Sequence, residues 1–437
     1  MKLAYLAPEI PSVSCTFVFR ELLAIERETR VPVVPFSLRA VASGSIAADG
    51  EALRARTRTV YGDRKTLLRN AVRFAARHPV RALRTLVLSA RDVVRGEARR
   101  RWTIPLQALA GLSLAAQLQD LGIEHLHVHF ANAPASVGMY AALAAGIPFS
   151  VTAHANDIYV DRPLLAEKLA RASRFVTISN RNRAFLEGLA QRAASVDVIR
   201  CGVDTSKFVP RTPGRASGDP VVFTVGRLVS KKGIDVLIES LRHVKAPVRL
   251  VVAGDGPLGT ELQSLAEDRG VGDRVTFLGA VSTEEIQRRL AHAAAFVLPC
   301  RRAPDGDLDG IPVALMEAMA SGVPCISTRI SGIPELIRHG ENGLLVEPED
   351  SEALAAALDR VLEGAELAQR LARQARDTVR TEYDLRGNAR RLSRVFQNEA
   401  VALSGSAPER DAGLPAATGA TRGQVYALGT PPASRRA

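Results

Sequence analysis

The chain alternates short apolar segments with segments of helical period, and it does so in two rounds. The first round runs from the apolar segment at 2–6 to the one at 196–199, and the second runs from Val221 to the segment GLLV at 343–346. Strands that alternate with helices in this way form parallel sheets that are covered by helices on both faces. We therefore predict two α/β domains, each a doubly wound, Rossmann-like sheet.

A polar stretch rich in Pro, Gly and Ser, RTPGRASGDP at 211–220, separates the two rounds and is typical of a domain boundary. We predict an N-terminal domain at 1–205, a C-terminal domain at 206–380, and a final helix at 381–402 that returns to the N-terminal domain. Residues 403–437 show no period and are predicted to be disordered. Ligands of such sheets bind at the carboxyl ends of the strands, so we expect a deep cleft between the domains.

The 437 residues carry a formal net charge of +12, which indicates an anionic partner without identifying it. Within the segment 54–102, which we read as a helical insert, fifteen Lys or Arg residues accompany three acidic ones and interleave with apolar residues. We predict two basic helices that are broken near Pro79. Two interpretations stay open: a solvated helix surface, or a surface that docks on an anionic membrane. We expect no nucleic-acid partner, because nucleic-acid motifs are absent and few aromatic residues interleave with the charges.

Four cysteines, Cys15, Cys201, Cys300 and Cys325, follow neither a disulfide framework nor a metal-ligand spacing. This pattern favours a reducing cytoplasm. No apolar run is long enough to cross a bilayer, and the N-terminal residues resemble a first buried strand more than a secretory signal. The expected location is cytoplasmic, with the inner face of the cell membrane as an option if the basic insert docks there.

The clearest candidate site is the segment DGDLDGIPVALMEAMASG at 305–322. A buried strand precedes it, and Pro312 opens a helix, so a polar loop leads into a helix N-terminus. The unpaired N–H groups and the dipole of such a terminus suit a phosphate. If the loop folds back, Asp309 and Glu317 border the same cleft, where carboxylates suit sugar or ribose hydroxyls.

Two cations mark the loop after the first strand of the second domain. Arg227 and Lys232 follow that strand and are flanked by Gly226 and Gly233, which allow close approach of the backbone. Long cations at the carboxyl end of a strand suit a diphosphate. Solvated loop charges are the alternative interpretation.

The order of the motifs resembles glycosyltransferase family 4. VGRLVSKKGIDVLIES is followed by VVAGDGP, VTFLG, DGIPVALME with AMASGVPCIST, and SGIPELIRHGENGLLV, while CGVD at 201–204 is typical of the same family. In the first domain, IPSVSCTFVFREL, HVHFA and TAHANDIY resemble the exopolysaccharide members, of the colanic-acid type. The resemblance implies the GT-B fold, in which two Rossmann-like domains face each other across a deep cleft. It also implies retaining, metal-independent transfer of a sugar from a nucleotide diphosphate sugar.

The resemblance assigns donor contacts to the second domain. Arg227 and Lys232 are implied to bind the donor phosphates and to stabilise the leaving diphosphate in place of a metal. Glu317 is implied to bind the ribose hydroxyls, and Asp309, which stands where the family usually has Glu, to contact the hydroxyls of the sugar. The other implied donor contacts are Gly226, Leu278, Gly279, Gly310, Ile311, Pro312 and Val313.

In the first domain the resemblance selects two histidines. His129 matches the second histidine of the H-x-H pattern and His154 the histidine of T-A-H, and both stand at strand ends that face the cleft. Either is implied to act in catalysis, by bonding the transferring sugar or by assisting the proton of the acceptor. A buried structural role is the alternative, and it is the one we assign to His125 and His127.

The acceptor contacts are predicted in the loop after the first strand and near the end of TAHANDIY. Ser14 and Thr16 remain in that loop, but Cys15 replaces the usual Glu. We do not expect Cys15 to act as a nucleophile, because no activating base is evident. Asp157 either caps a helix or touches the acceptor, and Glu335 is predicted to orient a loop or to cap a helix.

The sequence therefore predicts a hexosyltransferase that moves a sugar from a nucleotide diphosphate sugar to a hydroxyl acceptor. The acceptor is predicted to be a lipid-linked or polysaccharide-precursor saccharide, and no cofactor or metal is expected. Two alternatives stay open: a nucleotide-sugar epimerase of the same fold, or an inactive nucleotide-sugar-binding protein in which Asp309 and Cys15 are departures from the active pattern.

Overall fold

The computed structural model describes residues 1–12, 15–41, 48–96, 101–190, 195–208 and 218–404, with backbone alone at 48–49 and 398–404. Within these ranges the strands form two separate parallel sheets, one in each half of the chain. None of the helices in the described ranges combines the length and the apolar character that a bilayer crossing requires. The chain is thus organised around two sheets, each with its own edge of strand ends.

The first sheet has the strand order β3-β2-β1-β4-β5-β6-β7. Its strands are β1 Leu3–Ala7, β2 Val33–Ser37, β3 Arg58–Thr59, β4 His125–His129, β5 Phe149–Ala153, β6 Arg174–Thr177 and β7 Val196–Val198. The strand order reverses between β1 and β4, because β2 and β3 lie on one side of β1 and β4 to β7 lie on the other. Ligand crevices form at the carboxyl end of such a switch point.

The helices of this half are α1 Thr16–Thr29, α2 Ala48–Arg56, α3 Arg64–Arg77, α4 Pro79–Arg95, α5 Ile104–Asp120, α6 Ala133–Ala145, α7 Asn156–Tyr159, α8 Leu165–Arg171 and α9 Asn180–Leu189. The basic insert contains α3 and α4, with the predicted break at Pro79. Both helices pack on α5, which is therefore mostly buried. Close packing of α5 on α6 needs Gly111, where a Cβ would lie 2.7 Å from Cβ of Tyr140.

The second sheet has the order β10-β9-β8-β11-β12-β13. Its strands are β8 Val221–Val225, β9 Arg249–Ala253, β10 Val275–Phe277, β11 Ala295–Leu298, β12 Cys325–Thr328 and β13 Leu344–Val346. The helices are α10 Ile234–Ser240, α11 Gly259–Asp268, α12 Thr283–His292, α13 Val313–Ala320, α14 Ile333–Leu336, α15 Ser351–Glu363 and α16 Ala365–Glu382. The switch point here lies between β8 and β11, the strands that precede the predicted phosphate loops.

A last helix, α17 Leu385–Ser404, crosses from the second half of the chain to the first. At the crossing, the Leu385 amide donates to the carbonyl of Val203 (3.1 Å), and a Cβ at Gly202 would lie 2.4 Å from Cα of Leu385. Helix α17 then packs along α1, where Phe396 joins the apolar cluster beneath β1. The helix extends to Ser404, two residues into the stretch predicted to be disordered, and 405–437 lies outside the described residues.

Candidate functional site

The carboxyl ends of the two sheets meet across a narrow cleft. The loop that contains Gly310 approaches the end of β5 so closely that a Cβ at Gly310 would lie 3.4 Å from the carbonyl oxygen of His154 and 2.7 Å from Cδ1 of Ile178. Beside it, the Asn156 side-chain amide donates to Asp307 (3.1 Å). The predicted donor loop and the predicted histidine strand ends are therefore neighbours.

Lys232 lies at the centre of the cationic side of the cleft. Its side chain runs over Gly226, and its Nζ lies 2.6 Å from Oδ2 of Asp309. Nζ of Lys231 reaches the same carboxylate at 3.4 Å and that of Asp307 at 2.9 Å. The loop is held there by Gly233, where a Cβ would lie 2.0 Å from the carbonyl oxygen of Pro299 at the end of β11.

The charges of this cluster keep one another ionised. Burial lowers the pKa of the Lys232 ammonium, but the Asp309 carboxylate, with Cys300 and Asp307, raises it by more, so the net direction is upward. Burial raises the pKa of Asp309, and the two lysines Lys232 and Lys231 reverse this, so the net direction is downward. Arg227 is exposed and forms no ion pair with any of the described residues. It is therefore available to an anionic ligand.

The loop after β11 leads into α13 as the sequence predicts. Pro312 is the N-cap residue of α13, so the first amides of the helix have no partner inside it. Ile311 is buried beneath them. Just over one turn into the helix, the Glu317 carboxylate accepts from Nη1 of Arg20, a residue of α1 on the other side of the cleft, at 2.9 Å. Glu317 thus faces the cleft, and its partner comes from the first domain.

An open cavity of about 660 Å³ extends from the Arg20 side of the cleft. It lies between α1, the segment at 204–208, the start of α12 and the start of α17. Gly279, after β10, has a left-handed backbone (φ 66°) and open space where a Cβ would be. Leu278 is half-buried beside it. The cavity volume is within the range of sites that bury a nucleotide-sized ligand.

The histidine side of the cleft is a buried hydrogen-bond network. Nδ1 of His129 lies 3.2 Å from Nε2 of His154, and Nε2 of His129 lies 3.1 Å from Oε1 of Glu21 on α1. The Tyr5 hydroxyl donates to the same oxygen of Glu21 (2.9 Å). Burial lowers the pKa of the His154 imidazole well below its usual value, and the neighbouring His129 lowers it further. His154 is therefore neutral at physiological pH.

A second set of bonds holds the other histidines of β4. His125 and His127 both bond to the Ser150 hydroxyl, at 2.7 and 2.8 Å, and the Thr152 hydroxyl bonds to Nε2 of His127 at 3.0 Å. Burial lowers the pKa of His125 to about 3. Both residues are satisfied core groups, which is the structural role predicted for them.

Sequence similarity identifies the family. Residues 206–378 match the profile of "Glycosyl transferases group 1", and residues 66–207 match "Glycosyltransferase Family 4". The chain is 33% identical over 289 residues to the putative colanic acid biosynthesis glycosyltransferase WcaL of Escherichia coli (strain K12), which covers 65% of this chain and 67% of that one. The chain belongs to glycosyltransferase family 4.

A second relative of this family 4 protein is the amylovoran biosynthesis glycosyltransferase AmsK of Erwinia amylovora, with 37% identity over 208 residues. That match covers 47% of the present chain and about half (51%) of AmsK. Among solved structures, Anabaena Alr3699/HepE in complex with UDP and glucose superposes with a TM-score of 0.67 at 19% identity, covering 91% of this chain and all of that one. The predicted GT-B fold is confirmed.

Asp157 and Ser14 are two of the residues that the sequence predicts to contact the acceptor of this glycosyltransferase. Asp157 is fully buried, and its carboxylate accepts the amides of Ala131 (2.7 Å), His154 (3.1 Å) and Ala155 (2.9 Å). The carboxylate thus holds the ends of β4 and β5 together, and its contact with the acceptor stays a prediction. Ser14 lies outside the described residues.

One of the two remaining residues of the first loop borders the cavity. Thr16 is the first residue of α1 and lines the cavity. Burial raises the pKa of the Cys15 thiol to about 11, with Glu9 adding to the effect, so a nucleophilic role for Cys15 is excluded at neutral pH.

The predicted cap by Glu335 is confirmed: its carboxylate accepts the amides of Asn180 and Arg181 (both 2.9 Å) at the start of α9 in the other domain.

Sequence reasoning missed three residues of the site: Arg20, Glu21 and Lys231. Arg20 and Glu21 stand side by side on α1, one turn after the loop that follows β1, and a charged pair inside the mostly apolar stretch 17–25 was the available signal. Lys231 precedes Lys232 and shares its carboxylate partner. Each contact crosses between distant segments, so spacing alone does not reveal it.

One group in the described part of the chain has ligand atoms close enough for a metal ion. Glu21, His127 and His129 each offer an atom within 4.8 Å of the others. However, both ring nitrogens of His127 already bond to the hydroxyls of Ser150 and Thr152. We therefore interpret the group as a hydrogen-bond network of the protein itself.

Proposed function

We propose that this protein transfers a hexose from a nucleotide diphosphate sugar to a hydroxyl acceptor, with retention at the anomeric carbon and without a metal. The observation that carries the proposal is the position of Lys232. Its ammonium lies in the cleft against Asp309, in the same loop as the exposed Arg227, and the Gly310 loop brings this cationic side close to His154. A fixed cation at the diphosphate stabilises the charge that develops there, and the neutral imidazole of His154 can bond to a hydroxyl of the sugar.

We infer one orientation of the nucleotide sugar in the cleft, from the positions of the charged and polar groups. Its diphosphate would lie on Lys232, Arg227 and the free amides at the start of α13, where positive charge is concentrated. Its ribose would bond to Glu317, and its base would lie near Leu278 and Gly279, which precede the residues at 281–284 that line the cavity. The sugar would then lie towards His154, between the donor loop and the end of β5. UDP bound to the Anabaena protein is consistent with this class of donor.

The reaction breaks the bond between C1 of the sugar and the β-phosphate oxygen, and forms a bond between C1 and the acceptor oxygen. As the first bond breaks, negative charge grows on the diphosphate, and Lys232 and Arg227 are already in place to stabilise it. Retention follows if the acceptor attacks from the face that the diphosphate leaves, with the leaving oxygen taking the hydroxyl proton. Asp309 is released from Lys232 when the phosphate binds, so its carboxylate becomes available to the sugar hydroxyls.

The proposal predicts that nucleotide sugars stabilise the protein and that transfer survives chelation. We expect one of UDP-glucose, UDP-galactose and GDP-mannose to raise the melting temperature in the presence of EDTA. A ligand at 100 times its dissociation constant adds about 2.7 kcal/mol. With an acceptor saccharide, the product should keep the anomeric configuration of the donor sugar, as read from proton NMR. Inversion, or loss of transfer in EDTA that metal restores, would contradict the proposal, and conversion of the donor without an acceptor would indicate an epimerase.

We further propose that the basic insert docks this enzyme on an anionic membrane surface and so presents it to a lipid-linked acceptor. The outer faces of α3 and α4 expose large apolar side chains that have no covering element among the described residues, including Leu83 (63% exposed) and Val94 (86%). Trp102 (74%) and Leu106 (64%) continue the surface. Arginines interleave with them, which is the composition that binds an anionic lipid surface.

The inner face of α4 fixes this surface relative to the sheet. Asp92 is fully buried and accepts two bonds from Arg171, at 2.6 and 2.7 Å, and one from the Tyr140 hydroxyl at 2.8 Å. The apolar outer face therefore cannot turn inwards, and its exposure is a fixed property of the fold.

We expect the protein to sediment with vesicles that contain an anionic phospholipid, and salt to release it because screening weakens the attraction. Leu83→Glu should reduce binding at least tenfold, since it adds negative charge and removes apolar area from the docking face. Leu189→Glu, an exposed position on α9, is the matched control and should bind like the wild type. Equal binding to neutral vesicles, or equal losses in the two variants, would contradict the docking surface.

A further inference from the structure

A continuous line of buried polar groups connects α1 to the end of β5. It runs from the Tyr5 hydroxyl through Oε1 of Glu21 to Nε2 of His129, and from Nδ1 of His129 to Nε2 of His154, with separations of 2.9, 3.1 and 3.2 Å. Tyr5 and His129 are completely buried, and His154 is 7% exposed. Each ring nitrogen in the line except one has a partner.

The exception is Nδ1 of His154, a buried atom that receives no hydrogen bond from any described residue. A buried polar atom without a partner costs about 1–3 kcal/mol. The His154 ring packs between the aromatic rings of Phe17 and Phe130, with centroids 4.8 and 4.6 Å away, and the backbone of His154 borders the Gly310 loop. The unsatisfied atom therefore belongs to the residue at which the line reaches the cleft.

The order of donors and acceptors along the line determines that Nδ1 of His154 accepts a hydrogen bond and does not donate one. A carboxylate only accepts hydrogen bonds, so Nε2 of His129 carries the proton that bonds to Glu21. The bond between the two rings then takes its proton from Nε2 of His154, because a proton on Nδ1 of His154 would leave a buried N–H group without an acceptor. Nδ1 of His154 is then left with a lone pair. Burial keeps His154 neutral, which is consistent with this assignment.

We propose that Glu21 is a positioning residue that acts through His129 to hold His154 in the tautomer whose Nδ1 accepts a hydrogen bond, and that the donor of this bond is a hydroxyl of the transferring sugar. The inference rests on the proposed glycosyl transfer and specifies how the site recognises the sugar. It assigns a role to Glu21, which makes no contact with the sugar itself. His154 is the group that touches substrate.

The other histidines of β4 do not take part in this line. His127 bonds to the hydroxyls of Ser150 and Thr152, which can donate or accept and so impose no tautomer on a neighbour. The network around Ser150 therefore offers a matched control. Ser150→Ala removes two buried bonds close to the line and leaves its order of donors and acceptors unchanged.

The tautomers are measured directly on the unliganded full chain, labelled with nitrogen-15 in its histidines. Two-bond nitrogen–proton couplings distinguish a protonated ring nitrogen from a bare one, and His154→Asn assigns the signals. We expect His154 to be protonated at Nε2 and bare at Nδ1. We expect Glu21→Leu, which removes the acceptor, to populate the other tautomer at both His129 and His154.

Glu21→Gln tests the same idea by rescue. Tyr5 and His129 both donate to Oε1 of Glu21, so a glutamine carbonyl in that position preserves both bonds without the charge. We expect Glu21→Gln and Ser150→Ala to keep the wild-type tautomers. A proton on Nδ1 of His154 in the wild type would overturn the proposal even if Glu21→Leu does not fold, as would unchanged tautomers in a folded Glu21→Leu. Because no donor is present, this outcome is independent of whether glycosyl transfer occurs.

Steady-state kinetics provide a second test of the role of Glu21, in addition to the tautomer measurement. With whichever of UDP-glucose and GDP-mannose stabilises the protein, we expect Glu21→Leu to raise KM about tenfold, which corresponds to the loss of one hydrogen bond to a buried acceptor. Glu21→Gln should stay within about twofold of the wild type, on the same reasoning. Equal losses in Glu21→Leu and Ser150→Ala would mean that Glu21 is merely structural, and would overturn the proposal.

Discussion

Lys232→Ala is expected to lower kcat by at least a hundredfold while the protein remains folded. The ammonium of Lys232 is fixed over Gly226 in a loop that Gly233 locks against β11, so it needs no reorganisation when charge develops on the leaving diphosphate. Removing one such fixed group typically costs about 10²–10³ in kcat. The measurement is the initial rate of sugar transfer at saturating donor, with thermal unfolding as the check on folding.

Lys231→Ala is the matched control for this experiment. Lys231 shares the Asp309 carboxylate but lies 3.4 Å from it, against 2.6 Å for Lys232, and its shorter contact is with Asp307 at 2.9 Å. We expect it to retain kcat within about tenfold, because its contribution comes from a more distant charge. Near-full activity in Lys232→Ala would contradict the phosphate assignment, and equal losses in the two variants would indicate a general electrostatic effect instead.

Asp92→Ala is expected to destabilise the protein by about 3 kcal/mol or more, which is the usual effect of breaking a buried ion pair from one side. The substitution removes three hydrogen bonds and leaves the guanidinium of Arg171 and the hydroxyl of Tyr140 without their partner. Burial lowers the pKa of the Arg171 guanidinium, but its hydrogen bonds and charge interaction with Asp92 help to raise that pKa overall, so Arg171 stays charged in the folded state. The measurement is the free energy of unfolding in urea.

The control is Asp120→Ala, which also removes a carboxylate that binds the insert. Asp120 pairs with Arg73 of α3, and both side chains are about two-fifths exposed. Exposed pairs contribute about 0–1 kcal/mol, so we expect a loss below 1 kcal/mol. If the two variants were equally destabilised, Asp92 would not be the anchor of α4.

The sequence predicts the elements of the second domain closely because its strands are short apolar runs between turn residues. The second round of the pattern was predicted to run from Val221 to the segment at 343–346, and the structure has its first strand at Val221–Val225 and its last at Leu344–Val346. The two-residue strand β3 has no apolar run, so periodicity could not reveal it. Helix α8 was also missed, because it buries a lysine, Lys168, whose Nζ donates to three backbone carbonyls at 2.6–2.8 Å.

The candidate site was predictable where a motif places a residue at a strand end, as for His154, Lys232 and Asp309. It was not predictable where a side chain binds one from a distant segment. Arg20 and Glu317 are 297 positions apart, and their contact depends on how the two domains are oriented. The buried position of Asp157 was not predictable either, because it depends on three backbone amides at the ends of β4 and β5 that satisfy the carboxylate inside the protein.

The course of helix α17 has a consequence for the order in which the protein assembles. The apolar cluster beneath β1 combines residues of that strand with Leu392 and Phe396 of α17. The centroid of the Phe396 ring lies 4.9 Å from that of His127. During synthesis, the first domain emerges early but lacks this helix until the whole second domain has left the ribosome. The buried histidines of β4 therefore lack the covering helix α17 until then, so the cleft can reach its final structure only after both domains have been synthesised.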